Sequence, residues 1–266
     1  MKKRLPLYAW LMILSLGLGS CQKMASVQQN DTTISADILS KIQALGFGTS
    51  SVVKVDDGYL VEGDIVLTDE LLNSAPARQL LRVGAEEQYR TTNLVSRLPR
   101  TLTVRVDASL SSLYVVAIDS MIQRFNKLKL QLTFQRVSSG GDIVLRAAPQ
   151  SAQYLASSGF PTTSGSPYGQ VLVSRRYLDS WKMVTIVSVL AHEVGHCIGF
   201  RHTDYMSRQY SCGGSSVNEG ASTVGAILIP GTPSSPDAGS WMLACLNDGY
   251  NRPFNANDII ALNYLY

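Results

Sequence analysis

The pattern H-E-x-x-H-x-x-G-x-x-H, read here from His192 to His202 as H-E-V-G-H-C-I-G-F-R-H, limits the fold of this chain more tightly than anything else in it. Histidines four apart on a helix project from one face, one turn apart, so His192 and His196 can reach a single cation together. Gly199 can adopt the left-handed conformation that stops a helix, after which the chain turns back to bring in His202. Three neutral imidazole nitrogens suit Zn²⁺ and leave its fourth position open. Glu193, beside the first ligand, can take a proton from a metal-bound water instead of binding the ion. The chain has three histidines and all lie in this stretch, so none is left over for another role.

Ser240-Trp241-Met242 lies 40 residues after the third histidine. The long motif followed at this distance by a methionine resembles the metzincin zinc endopeptidases, whose methionine-containing turn lies below the metal, and Met242 is the candidate. A finer likeness is to the dual-action HEIGH metallopeptidases. It is carried by H-T-D at 202–204, S-C-G-G at 211–214, I-P-G-T-P at 229–233 and the closing segment 255–266, and it runs over most of residues 50–266. Val194 replaces the isoleucine of that family's name, and Thr203 is not the Glu, Asp, Ser or Pro of the best-known metzincin groups.

The resemblance implies an α+β zincin: an upper subdomain of mixed twisted sheet with two long helices, over a small irregular lower subdomain with the methionine turn and a C-terminal helix. It implies hydrolysis of protein or peptide substrates with one catalytic Zn²⁺ on His192, His196 and His202 and Glu193 as general base; any calcium requirement stays open. It further implies that the strand before the zinc helix, Val171, Leu172, Val173 and Ser174, is a sheet edge along which an extended substrate pairs. The plain alternative is a structural strand. Some metzincins add a tyrosine near the methionine turn to steady the oxyanion. Ala244 occupies that place, and Tyr205, Tyr210 and Tyr250 are unranked substitutes.

At the start of the chain, residues 1–20 read as a lipoprotein signal peptide: Lys2, Lys3 and Arg4, an apolar run, then Leu18-Gly19-Ser20-Cys21. Cleavage before Cys21 frees its thiol for a lipid anchor in the cell envelope or at the surface of a bacterium. An ordinary secretory signal with a chance cysteine is the alternative, and both export the protein. Residues 21–33 read as a flexible tether. Residues 34–100 read as a pro-segment or accessory region, with a helix from about 34 to 45 stopped by Gly46. Within this region Val61-Glu62-Gly63-Asp64 is similar to the F-x-G-D motif of astacin propeptides, which makes Asp64 a candidate latency ligand for the open zinc position. The alternative is a turn aspartate, solvated or capping.

The catalytic domain spans 101–266. Leu102, Val104 and Val106 predict a strand, and Asp107 or Ser109 caps a helix with the stripe Leu110, Tyr114, Ile118, Ile122 and Phe125. Strands follow near 130–134 and 142–145, then a Ser/Gly/Pro-rich loop over 157–169. Asp179 or Ser180 caps a buried central helix that carries the histidines, and Asn255 or Asn257 caps the last helix.

With Cys21 lipidated, three thiols allow three pairings with one left over. Cys212 with Cys245 is favoured, because it ties the loop after the third ligand to the segment after Met242; Cys197 then reads as a packed thiol. Without Lys2, Lys3 and Arg4 the formal charge falls from +3 to zero, and no basic cluster or phosphate loop recruits nucleic acid. A monomer is expected. The reading from another class is a non-catalytic surface lipoprotein that keeps zinc as a structural staple.

Overall fold

The computed structural model describes residues 33–73, 88–219, 226–233 and 237–266. The unit from Ile34 to Tyr266 is mixed α+β. Its elements begin with α1 (Ala36–Ala44), β1 (Val53–Val55), β2 (Gly58–Val61), β3 (Ile65–Leu67), α2 (Asp69–Asn73) and β4 (Tyr89–Arg90). There follow β5 (Arg100–Val106), α3 (Ser112–Asn126), β6 (Leu132–Arg136), β7 (Ile143–Ala147), β8 (Ala156–Gly159) and β9 (Gln170–Val173). The chain ends with α4 (Arg175–Leu178), α5 (Met183–Ile198), α6 (Gln209–Cys212), β10 (Ile227–Leu228) and α7 (Ala256–Leu265).

Eight strands make one sheet in the order β1-β2-β3-β8-β9-β7-β5-β6, and β4 pairs with β10 apart from it. The β9-β7-β5-β6 half is parallel, β8 is antiparallel to β9, and β3 joins β8 in parallel register, Ile65 opposite Ser158. Leu102 and Val104 of β5 turn inward against the buried stripe of α3, Tyr114, Ile118 and Phe125, and the same core takes in α5. A second apolar cluster, with Ile42, Phe47, Val61, Ile65 and Leu67, holds α1 to β2 and β3.

Several expectations change. The strand over 171–174 is no edge: β9 lies between β7 and β8, its backbone paired on both sides. The strand beyond it, β8, overlaps the stretch expected to be a loop, with all but Ala156 inside 157–169. Ala156, Ser157, Ser158 and Gly159 lack the branched or aromatic side chains that mark strands, yet all four are buried. Their small size lets neighbours approach, since a Cβ on Gly159 would meet Val66 O at 2.8 Å and the Tyr168 ring at 2.9 Å. The α3 N-cap is Ser111, because Asp107 instead accepts from the Ser109 N–H and Arg105. Asp179 closes the short α4, and α5 starts after Lys182, whose N–H donates to Asp248 on a distant loop. Asn255, one of the two candidates, caps α7 through a reciprocal pair of bonds with Asp258.

Candidate metal centre

Helix α5 is buried on every side from Thr185 to Ile198, so its packing fixes what it carries. It stops where the motif requires, with Gly199 left-handed at φ 110°. Arg201 N–H then donates to Tyr89 O at 2.9 Å, and Thr203 N–H to Met242 O at 3.0 Å, so the returning chain is stitched on both sides of His202. Below α5, Met242 is fully buried and Trp241 nearly so.

The three imidazoles converge. His196 Nε2 lies 3.1 Å from His192 Nε2 and 3.3 Å from His202 Nε2. Each opposite ring nitrogen faces an oxygen: His192 Nδ1 donates to Trp241 O at 3.1 Å, His196 Nδ1 to Phe200 O at 2.8 Å, and His202 Nδ1 to the Glu219 carboxylate at 3.0 Å. Acceptors on all three Nδ1 atoms put the protons there and leave three Nε2 lone pairs facing one point. Metal–nitrogen bonds of about 2.0–2.1 Å set tetrahedral ligand atoms roughly 3.3 Å apart, which is the spacing observed.

Asp64, in the turn between β2 and β3, supplies a fourth atom. Its Oδ2 is 3.1 Å from His202 Nε2 and 3.6 Å from His192 Nε2, and its buried Oδ1 has no hydrogen-bond partner. A cation among these four groups supplies what the orphaned carboxylate and the crowded nitrogens lack, so the residues fit a metal. Burial pushes the Asp64 carboxyl upward, but the three neighbouring histidines outweigh it and hold it well below the usual range.

Glu193 is buried, and its carboxylate accepts from the Ser158 hydroxyl at 2.7 Å. Burial, then the charge of Asp64, pushes its carboxyl well up. Neither Ser158 nor Glu219 carries a local signal that could have singled it out. Around the turn before Asp64, Glu62 takes φ 54°, its carboxylate accepts from Arg201 Nη2 at 2.7 and 2.8 Å, and its carbonyl accepts from Arg208 Nη1 at 2.6 Å. Arg208 also pairs with Glu219 at 2.9 Å, which links the turn to the third histidine.

A cavity of about 370 Å³ opens beside the centre, between α5 and residues 241–247. Tyr154 lines it. Tyr205 instead packs edge-on against Tyr89, while Tyr210 and Tyr250 are exposed and line no part of it. Cys212 and Cys245 are disulfide-bonded at the cavity wall, and Cys197 is a buried thiol whose ionisation burial suppresses. Cys21 and the leader lie outside the described residues. Among the described residues no helix is long and apolar enough to cross a membrane.

A family model described as Dual-action HEIGH metallo-peptidase matches residues 59–266. Two solved structures of myroilysin are similar to the chain. One has 17% identity and a TM-score of 0.45 over 66% of this chain and 97% of that one; the other has 16% identity and 0.40 over 65% and 86%. No curated protein matches the chain significantly.

Proposed function

Since the chain belongs to the dual-action HEIGH metallopeptidase family, we propose that it is a zinc-dependent endopeptidase with His192, His196 and His202 as ligands and Glu193 as general base. The observation that carries the reading is the convergence of three Nε2 atoms whose ring partners are all oxygen acceptors. Bound there, Zn²⁺ supplies Lewis acidity toward the scissile carbonyl and the attacking water. Glu193 takes a proton from that water as its oxygen adds to the carbonyl carbon, then returns it to the amine nitrogen as the C–N bond breaks. Ser158 holds this carboxylate by a hydrogen bond of 2.7 Å. Burial of the helix keeps the base and the first two ligands, His192 and His196, in one rigid piece.

The protein is made latent. Asp64 stands where the fourth ligand would be, so water and substrate gain access when the turn carrying it withdraws. Within residues 34–100, a pro-segment or accessory region, the part that carries Asp64 is the latency segment, while Tyr89, which accepts from the Arg201 N–H, stays with the catalytic domain of 101–266. Export and a lipid anchor at Cys21 are supported by the basic and apolar leader with its Leu-Gly-Ser-Cys ending. Casein digestion by the purified Asp64→Ala protein tests the activity, with Glu193→Ala added to it and a chelator as controls. Equal activity with and without Glu193→Ala removes the assignment. The N-terminal mass of the exported form tests the anchor and the processing.

A further inference from the structure

The cavity beside the metal centre has both apolar and polar walls, with Leu155, Val189, Leu243 and Leu246 among the apolar lining, and Arg252 is part of it. The main chain fixes this arginine: its N–H donates to Ser188 Oγ at 2.9 Å, and its carbonyl accepts from Arg124 Nη1 at 2.7 Å. Its guanidinium donates one long bond, 3.3 Å, to Leu243 O, and among the described residues it has no carboxylate within ion-pair distance. Arg208, the other arginine of the lining, is already matched to Glu219.

Burial lowers the Arg252 guanidinium from its ordinary value, and Asp204 and Asp258 oppose that from farther off. Those two carboxylates are committed elsewhere. Asp204 accepts from Ser211 and the Ala244 N–H, while Asp258 accepts from Gln88, Ser240, Trp241 and Asn255. A half-buried guanidinium with spare donors, in a cavity that reaches His192 and Glu193, favours a carboxylate arriving with the substrate.

We propose that Arg252 makes this cavity select an acidic side chain next to the scissile bond, with the chain's methylenes on the apolar walls and its carboxylate on the guanidinium. The inference rests on the peptidase reading and names its substrate class. An uncharged isostere fills the same space but leaves the guanidinium without the ionic partner, so charge and not size sets the preference.

The test uses zinc-loaded protein with the latency aspartate replaced, Asp64→Ala, and internally quenched peptides that differ only in the residue after the scissile bond: Glu, Gln or Leu. Glu is expected to exceed Gln by about tenfold or more in kcat/KM. Arg252→Gln brings the two within about twofold, and Arg252→Lys keeps part of the difference. Equal kcat/KM for Glu and Gln peptides overturns the proposal and leaves the peptidase reading intact, and that comparison needs no Arg252 variant to fold. If no peptide is cut, the peptidase reading fails by itself, and Kd values for the same peptides on protein carrying both Asp64→Ala and Glu193→Ala decide the pocket: tighter Glu binding supports it, equal binding overturns it.

Discussion

Ser158 Oγ lies 2.7 Å from Glu193 Oε2 and 2.9 Å from the Glu193 backbone oxygen, so one hydroxyl of strand β8 meets Glu193 at both its side chain and its main chain. The sheet thereby aims a side chain that belongs to the helix. Ser158→Ala frees the carboxylate to rotate without touching a ligand. A single hydrogen bond to a charged or strongly polar partner contributes about 1.5–3 kcal/mol, so kcat falls by roughly tenfold or more while KM changes little. Steady-state kinetics on a casein-derived peptide check this, and an unchanged kcat shows that the bond does not position the base.

Asp64 is held at the centre from outside it. The turn before it is anchored by Glu62 on Arg201, both buried, and by Arg208 on the Glu62 carbonyl. Asp64→Ala in the full chain leaves the fold and removes the fourth ligand, so the unprocessed protein gains activity several-fold. Glu62→Gln acts at a distance: it leaves the Arg201 charge without its carboxylate, and breaking a buried pair costs about 3–5 kcal/mol, enough to loosen the turn. It too raises activity of the unprocessed chain, by less than Asp64→Ala. Activity assays on intact chain, verified by mass, compare the two. No gain in either variant removes Asp64 from any latency role.

What could be read in the sequence was what local spacing encodes. Two ligands on one helix face, the left-handed Gly199, the return to His202 and the Asn255 cap all depend on residues within a few positions of each other. Asp64 was reachable because its quartet is contiguous. Ser158, Glu219 and the Glu62–Arg201 pair were not, since each meets its partner only after the sheet and the loops have formed, and a lone serine or glutamate has no periodicity to betray it. The misplacement of the sheet edge has the same origin. A short apolar run after a loop identifies 171–174 as a strand but says nothing of its neighbours, and β8, made of Ala, Ser and Gly, carries no strand signal.

Gly195 faces the methionine turn. A Cβ there would lie 2.6 Å from Met242 Sδ and 2.6 Å from the Trp241 ring. On an open helix face Gly→Ala stabilises by about 0.5–1 kcal/mol, but forcing a methyl into this contact costs roughly 1–3 kcal/mol, so Gly195→Ala is net destabilising. The displaced Trp241 also withdraws the carbonyl that fixes the His192 tautomer, and loss of such a partner weakens metal binding about 10–100-fold. Thermal unfolding and zinc titration measure the two effects. A higher Tm with unchanged zinc affinity contradicts the close packing.

Asp258 gives the fold a pH dependence away from the metal. Burial pushes its carboxyl up to about 7, although it accepts from the backbone of Asn255 and Trp241 and from Ser240. Its unfolded value is about 3.9, so between those two pH values the folded chain binds a proton that the unfolded chain releases. Its contribution to stability is therefore fully present below about pH 4 and lost as pH rises toward 7, at about 1.4 kcal/mol per unit and a few kcal/mol in all. Asn at 258 resembles the protonated acid and does not titrate. At pH 4 Asp258→Asn costs about 1 kcal/mol through the damaged α7 cap, and as pH rises toward 7 that deficit shrinks and then reverses. Denaturant unfolding of both proteins without metal across this range gives the difference curve, in which the histidine centre cancels. A difference that stays flat with pH means Asp258 is ionised in the fold throughout.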